Sequence, residues 1–161
     1  VQGDAAAADE YNSPRLHEWR LDLRTGAWSE RSLDAVGSEF PRISPTRVGR
    51  ENRYTFGAHE ASATGIGSAM YTGAFRLDHR SGEVQEHLWG PGCFGGENVV
   101  VPRAGATDED DAWLLGFVFD ESTRTSELRI LDAADLRAGA VARVRLPDRV
   151  PYGFHGEWFA D

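Results

Sequence analysis

Arg20-Leu21-Asp22-Leu23-Arg24-Thr25-Gly26 and Arg76-Leu77-Asp78-His79-Arg80-Ser81-Gly82 are two copies of one pattern, 56 residues apart. Each is an alternating strand that runs into a tight turn and closes on glycine, the residue for which a positive φ is cheap. Each is followed by a second alternating run, Ala27 to Leu33 and Glu83 to Trp89. A looser third copy, Leu128-Arg129-Ile130-Leu131-Asp132, returns through Gly139 into Val141 to Leu146.

Filling the gaps predicts a four-strand unit. One runs through Glu39–Ile43, Tyr54–Ala58, Ala74–Asp78 and Val84–Trp89; the next through Glu97–Val101, Trp113–Asp120, Ser126–Leu131 and Val141–Leu146. Val99-Val100-Val101 and Trp113 to Phe119 are β-branched and aromatic, as buried strands are. Prolines 41, 45, 91, 102, 147 and 151 fall at strand ends or in connections. Ala133 to Leu136 is helix-like but only long enough for a turn. Four-stranded units recurring every ~50 residues point to β-propeller blades, with a stacked β-sandwich as the competing all-β architecture. The chain holds about two complete blades, the outer half of a preceding one and the inner strand of a following one.

With 161 residues, 40% of them hydrophobic, the chain is long and apolar enough to build a core. All 17 basic residues are arginine against 26 acidic ones, a net charge of −9, which argues against a nucleic-acid surface. Absent lysine with abundant Ala, Arg, Gly and Asp is the composition of a high-GC bacterial genome. Ala112 to Phe119 is too short an apolar run to span a bilayer. The lone Cys93 excludes an internal disulfide and any multi-cysteine zinc site. Val1 is no initiator, and Val-Gln-Gly-Asp-Ala-Ala-Ala-Ala lacks the regions of a signal peptide. A fragment of a cytoplasmic protein is therefore expected.

The innermost strands, which line a propeller's channel, begin at Glu39-Phe40-Pro41, Glu97-Asn98-Val99 and His155-Gly156-Glu157, each 58 residues from the next. Equal spacing sets Glu39, Glu97 and His155 at equivalent positions facing one axis. A lone axial Glu is best read as a hydrogen-bonding residue. Three ionisable groups in register are costly without a partner, and a cation is the simple remedy. The imidazole can ligate a metal while a carboxylate fixes its tautomer, or it can act as a general acid or base. Imidazole suits Fe, Zn or Cu; a hard Ca2+ site would want more oxygens.

Glu39-Phe40-Pro41-Arg42-Ile43-Ser44-Pro45 with Val48-Gly49-Arg50 and Tyr54 resembles the carotenoid cleavage oxygenase family. So do Trp89-Gly90-Pro91-Gly92, Phe94-Gly95-Gly96-Glu97, Val101-Pro102-Arg103 and Pro151-Tyr152-Gly153-Phe154-His155-Gly156, so the likeness runs from about Leu16 to the C-terminus. It points to bacterial members, among them lignostilbene- and apocarotenoid-cleaving enzymes. The resemblance implies a seven-bladed propeller with an axial Fe(II) held by four histidines and oriented by glutamates. Residues 1–161 would be the C-terminal part of that single domain, its other blades lying upstream. Carried over, His155 matches the last metal ligand, and Glu39 and Glu97 match two orienting glutamates. Glu97, in the adjacent blade, would orient His155. The implied reaction is O2-dependent cleavage of an alkene into two carbonyl products, on a hydrophobic polyene or stilbenoid substrate and with no organic cofactor. Phe154 is a candidate wall for the substrate tunnel, although packing against the next blade is its ordinary role. A tunnel mouth would be the place for peripheral membrane contact. One imidazole cannot hold Fe(II) tightly, so the isolated chain is expected to be inactive, and an open arc exposes blade edges.

The remaining signals read as structural. His17, His59, His79 and His87 match no ligand motif and are expected at the surface. Thr107-Asp108-Glu109-Asp110-Asp111 lacks the calcium-loop pattern and reads as a solvated hairpin. Gly65-Ile66-Gly67-Ser68 lacks a phosphate-loop pattern and reads as a flexible connection. Arg42, Arg47, Arg50 and Arg53 are expected to salt-bridge surplus acids, and Cys93 to be an inert thiol. Two rival functions stand beside the oxygenase: a non-catalytic binding propeller, and a propeller glycosidase using Glu39 and Glu97 as its carboxylate pair.

Overall fold

A computed structural model describes residues 14–60 and 71–159; the Gly65–Ser68 stretch lies outside them. The strands are β1 (Arg15–Leu21), β2 (Trp28–Arg42), β3 (Tyr54–His59), β4 (Gly73–Asp78), β5 (Val84–Leu88), β6 (Cys93–Pro102), β7 (Ala112–Asp120), β8 (Thr125–Asp132) and β9 (Ala140–Arg145). They form two antiparallel meanders, β1-β2-β3-β4-β5 and β6-β7-β8-β9. Among the described residues no helix is long and apolar enough to cross a membrane.

The repeated turn has a chemical cause. The carbonyls of Asp22 and Asp78 each accept the amide of the closing glycine, Gly26 or Gly82, at 2.8 Å. Their carboxylates also accept amides two residues on, from Arg24 and Arg80. Both glycines sit at φ near +73°, in the left-handed region that a side chain would strain. Asp132 opens the third turn in the same way, accepting from the Ala134 amide, but the chain then detours through a 3-10 turn, Leu136–Ala138. Asp135 caps that turn, and fully buried Leu136 plugs it into the neighbouring sheet, where its amide donates to Gln85.

Two strand expectations are corrected. Ala27–Leu33 and Glu39–Ile43 are not separate strands but the two ends of β2, one strand that runs from the outer edge of one blade to the inner edge of the next. Pro41 lies at the bulged end of β2, as expected. Residues 151–159, expected to open a following blade, form no strand; the amide and carbonyl of Gly156 bond to side chains instead of a ladder.

One apolar core joins the sheets. Phe56 and Ala74 of β3 and β4 belong to the same buried cluster as Val100, Leu114, Val118 and Leu131 of β6, β7 and β8. Within the first sheet, β3 needs glycine at Gly57, where an added methyl would lie 2.5 Å from the ring of its cross-strand partner Phe75.

Two surface expectations are overturned. The acidic run is no solvated loop: Glu109 is buried, and its carboxylate accepts the amides of Arg53, at 2.8 and 2.9 Å, and Tyr54, with Arg47 3.6 Å away. Asp110 and Asp111 pair with Arg76 and Arg103. Buried Arg76 also donates to the carbonyls of Ala133 and Ala134 across the blade joint. Arg42, Arg47 and Arg53 thus do meet acids, in interblade joints and in the Arg53–Asp78 pair. His59, His79 and His87 are only partly exposed. Burial lowers the pKa of His79 and His87, helped at His87 by Arg129 and Arg143.

Glu109→Ala is expected to lower the stability of the intact protein by about 2 kcal/mol, since it orphans buried amides at the start of β3. Urea unfolding beside exposed Asp108→Ala as control checks this. The two histidines are stabilised neutral, so their contribution is whole above the ordinary histidine pKa and is lost as pH falls through it and below. His87→Phe should flatten that acid slope of unfolding stability.

Candidate functional site

The axial ends of β2 and β6 are irregular in different ways. In β2 the register slips after Glu39, so that Phe40 and Pro41 oppose the single residue Gly57. Phe40 takes φ 51°, a left-handed conformation costing a bulky residue about 1–3 kcal/mol. In β6, Gly96 and Glu97 oppose Phe117, so Glu97 itself stands in the bulge. Bulges re-aim side chains, and these two aim Glu39 and Glu97 differently.

Glu97 and His155 are brought together. The Glu97 side chain is only 5% exposed; its Oε1 accepts Arg42 Nε at 2.7 Å and its Oε2 accepts the Gly156 amide at 2.7 Å. His155 Nδ1 lies 3.5 Å from the same Oε2. Burial pushes the Glu97 pKa up, but Arg42, the Gly156 amide and His155 outweigh it, and the carboxyl is held ionised below its ordinary range. A carboxylate facing Nδ1 favours the tautomer with its proton there and directs the Nε2 lone pair away, which is the ligating form of imidazole. Nε2 has no protein partner among the described residues, and the ring is largely exposed. One position of an imidazole-held metal therefore fits this donor set. Among the described residues no group of three or more His, Cys, Asp or Glu could hold a metal by itself.

Glu39 stands apart from that pair. Its Oε2 accepts the amide of Phe40 at 3.1 Å, and its charge reaches Glu60 and Tyr71. Burial foremost, then Glu39, raises the Glu60 carboxyl; burial, then Glu39 and Glu60, raises the Tyr71 phenol. The Phe40 ring lies edge-on to Tyr71 at 5.2 Å and to His155 at 5.5 Å, between the two groups.

An apolar cavity of about 350 Å3 opens beside the pair, lined by Phe94, Phe117, Phe119, Tyr152 and Phe154 as well as Glu97 and His155. Phe154 is 72% exposed. Cys93 is buried, with Arg129 3.6 Å from its sulfur, the setting of a packed thiol. Sequence reasoning expected a salt bridge at Arg42 but did not place it in this site, and it missed the backbone of Gly156; the two meet across 114 positions. The available signal was chemical: a buried glutamate needs a cation, and Arg42 follows the preceding axial glutamate by three residues.

The sequence model of the family described as retinal pigment epithelial membrane protein matches residues 2–160. A carotenoid 9,10(9',10')-cleavage dioxygenase of Pisum sativum is 39% identical over 158 residues, covering 89% of this chain and 28% of that protein. The apocarotenoid-15,15'-oxygenase of Synechocystis is 38% identical over 152 residues, covering 93% and 30%. A solved variant of Synechocystis apocarotenoid oxygenase superposes with a TM-score of 0.83 at 32% identity, over 92% of this chain and 31% of that one. A cobalt-substituted form of the Synechocystis enzyme gives the same score at 33% identity. The chain spans less than a third of the length of these relatives.

Glu97→Leu should destabilise the intact protein by about 2 kcal/mol, because it leaves Arg42 and the Gly156 amide without their acceptor. Chemical denaturation should show a smaller loss for Glu97→Gln, which keeps one acceptor.

Proposed function

The chain belongs to the carotenoid cleavage oxygenase family, and from that premise we propose a function for the intact protein. It is an Fe(II)-dependent dioxygenase that cleaves a carbon–carbon double bond of a carotenoid, apocarotenoid or stilbenoid. Each carbon of that bond takes one oxygen atom of O2, and two carbonyl products leave. Residues 1–161 are the C-terminal part of its single propeller domain.

The observation that carries this reading is the His155–Glu97 contact at the edge of an apolar cavity. His155 would hold the metal through Nε2, while Glu97 keeps the proton on Nδ1. The remaining imidazole ligands belong to blades outside this chain, and Glu39 would orient one of them. Fe(II), when bound, supplies the activation of O2. The protein's share is positioning and exclusion of water: Phe94, Phe117 and Phe154 offer an extended alkene an apolar wall and no competing hydrogen bonds. A glycosidase would need one carboxyl kept protonated as a general acid. Both Glu97 oxygens are occupied, by Arg42 and by the Gly156 amide, which leaves neither free to act on a glycosidic bond.

The test is iron content and substrate-dependent O2 uptake of the intact protein, wild type against His155→Ala. Stoichiometric iron and uptake with a carotenoid or stilbene are expected, both lost in the variant. A folded protein without iron, indifferent to the substitution, would make His155 structural and leave a non-catalytic propeller.

A further inference from the structure

Residues 150–159 sit at the axis without a strand ladder, and residues 151–159 are all exposed. Something else must fix them, because an imidazole on a loose strand is poorly placed to ligate anything. Val150 is held at the start by Ser126 Oγ, which accepts its amide at 3.0 Å, and the Tyr152 ring packs edge-on to Phe119. Beyond them, the segment's backbone hydrogen bonds among the described residues meet at Gly156. Its amide donates to Glu97 Oε2 at 2.7 Å, and its carbonyl accepts from an Arg42 terminal nitrogen at 2.8 Å. Arg42 and Glu97 are themselves joined at 2.7 Å, and the other terminal nitrogen of Arg42 lies 3.4 Å from Glu157. A salt bridge therefore satisfies both backbone groups of one residue, as a neighbouring strand would.

We propose that Arg42 is a positioning residue that docks the His155 segment: its guanidinium, braced on Glu97, fixes Gly156 and so the imidazole beside it. The consequence for metal binding rests on the reading of His155 as a ligand; the docking does not. A planar fork with several donors holds a carboxylate and a carbonyl at once in a fixed geometry that a single ammonium lacks. The strained backbone at Phe40 acquires a purpose as well. Two residues facing one partner invert which side the next side chain takes, and this slip precedes Arg42 at the end of β2. The Phe40 ring, edge-on to His155 at 5.5 Å, packs against the same segment.

Hydrogen exchange of the metal-free intact protein, read by mass spectrometry, tests the docking in Arg42→Gln and Arg42→Lys. Iron affinity by chelator competition is the second readout. Within peptides covering 151–159, exchange of the Gly156 amide, the one amide there with an acceptor among the described residues, is expected to rise about tenfold in both variants, the scale of a lost charge-assisted hydrogen bond. Peptides from β3, β4 and β7 should be unchanged, and iron affinity should fall by a similar factor. If Arg42→Gln fails to fold, Arg42→Lys keeps the charge, loses the fork and carries the same comparison. Unchanged exchange in 151–159, or a rise spread evenly over all strands, overturns the proposal. A rise confined to 151–159 with unaltered iron affinity upholds the docking and removes His155 from the metal site.

Discussion

A four-stranded blade cannot bury both of its faces alone, and the shared core between the two sheets is the constraint on which everything else here depends. Phe56 and Ala74 share one buried cluster with residues of the following sheet, and Leu136 crosses the joint to join it. Burial of this kind is non-directional and scales with area, so it holds the blades together without fixing their rotation. Polar contacts do the fixing. Glu109 caps the start of β3, Arg76 reaches the carbonyls after β8, and Arg137 pairs with Glu83. Each spans from one blade to the other, and the Glu109 and Arg76 contacts satisfy groups that the joint would otherwise strand.

The joint explains why so much charge is half-buried in an acidic protein. An arginine can bury its stem on apolar surface and carry its head to a carbonyl or carboxylate some distance off. Arg76 and Arg129 both do so, lying against the rings of Tyr54 and Trp89 on the way to backbone oxygens. With no lysine in the chain, every such joint uses the planar guanidinium.

Local signals made the blades legible in the sequence. The Asp-to-Gly turn is written out within seven residues, and the strands beside it alternate or run β-branched. The site was legible in part, since the 58-residue spacing singled out Glu39, Glu97 and His155. What escaped was long-range. Nothing around Thr107–Asp111 tells that Glu109 will meet the amides of Arg53 and Tyr54, more than fifty positions upstream. Nothing in the pattern of β2 announces that Phe40 will adopt a positive φ. A period also reports position along the chain, not direction of the side chain, and a bulge changes the second without changing the first.

Glu39 and Glu97 show what that difference does. Both begin an axial strand at the same point of the repeat. Yet Glu39 still pairs opposite Ala58 before the register slips, whereas Glu97 lies within the slip and is released from the ladder. Released, Glu97 turns to Arg42 and the His155 segment and is held ionised; Glu39 turns to its own following amide, with Glu60 and Tyr71 for neighbours. A carboxylate needs a cation or amides to remain charged where water is scarce, and the preceding blade's Arg42 supplies that cation to Glu97. Equivalent residues in a repeat thus take their chemistry from the blade next door. The site belongs to the joint between blades, and no single blade contains it.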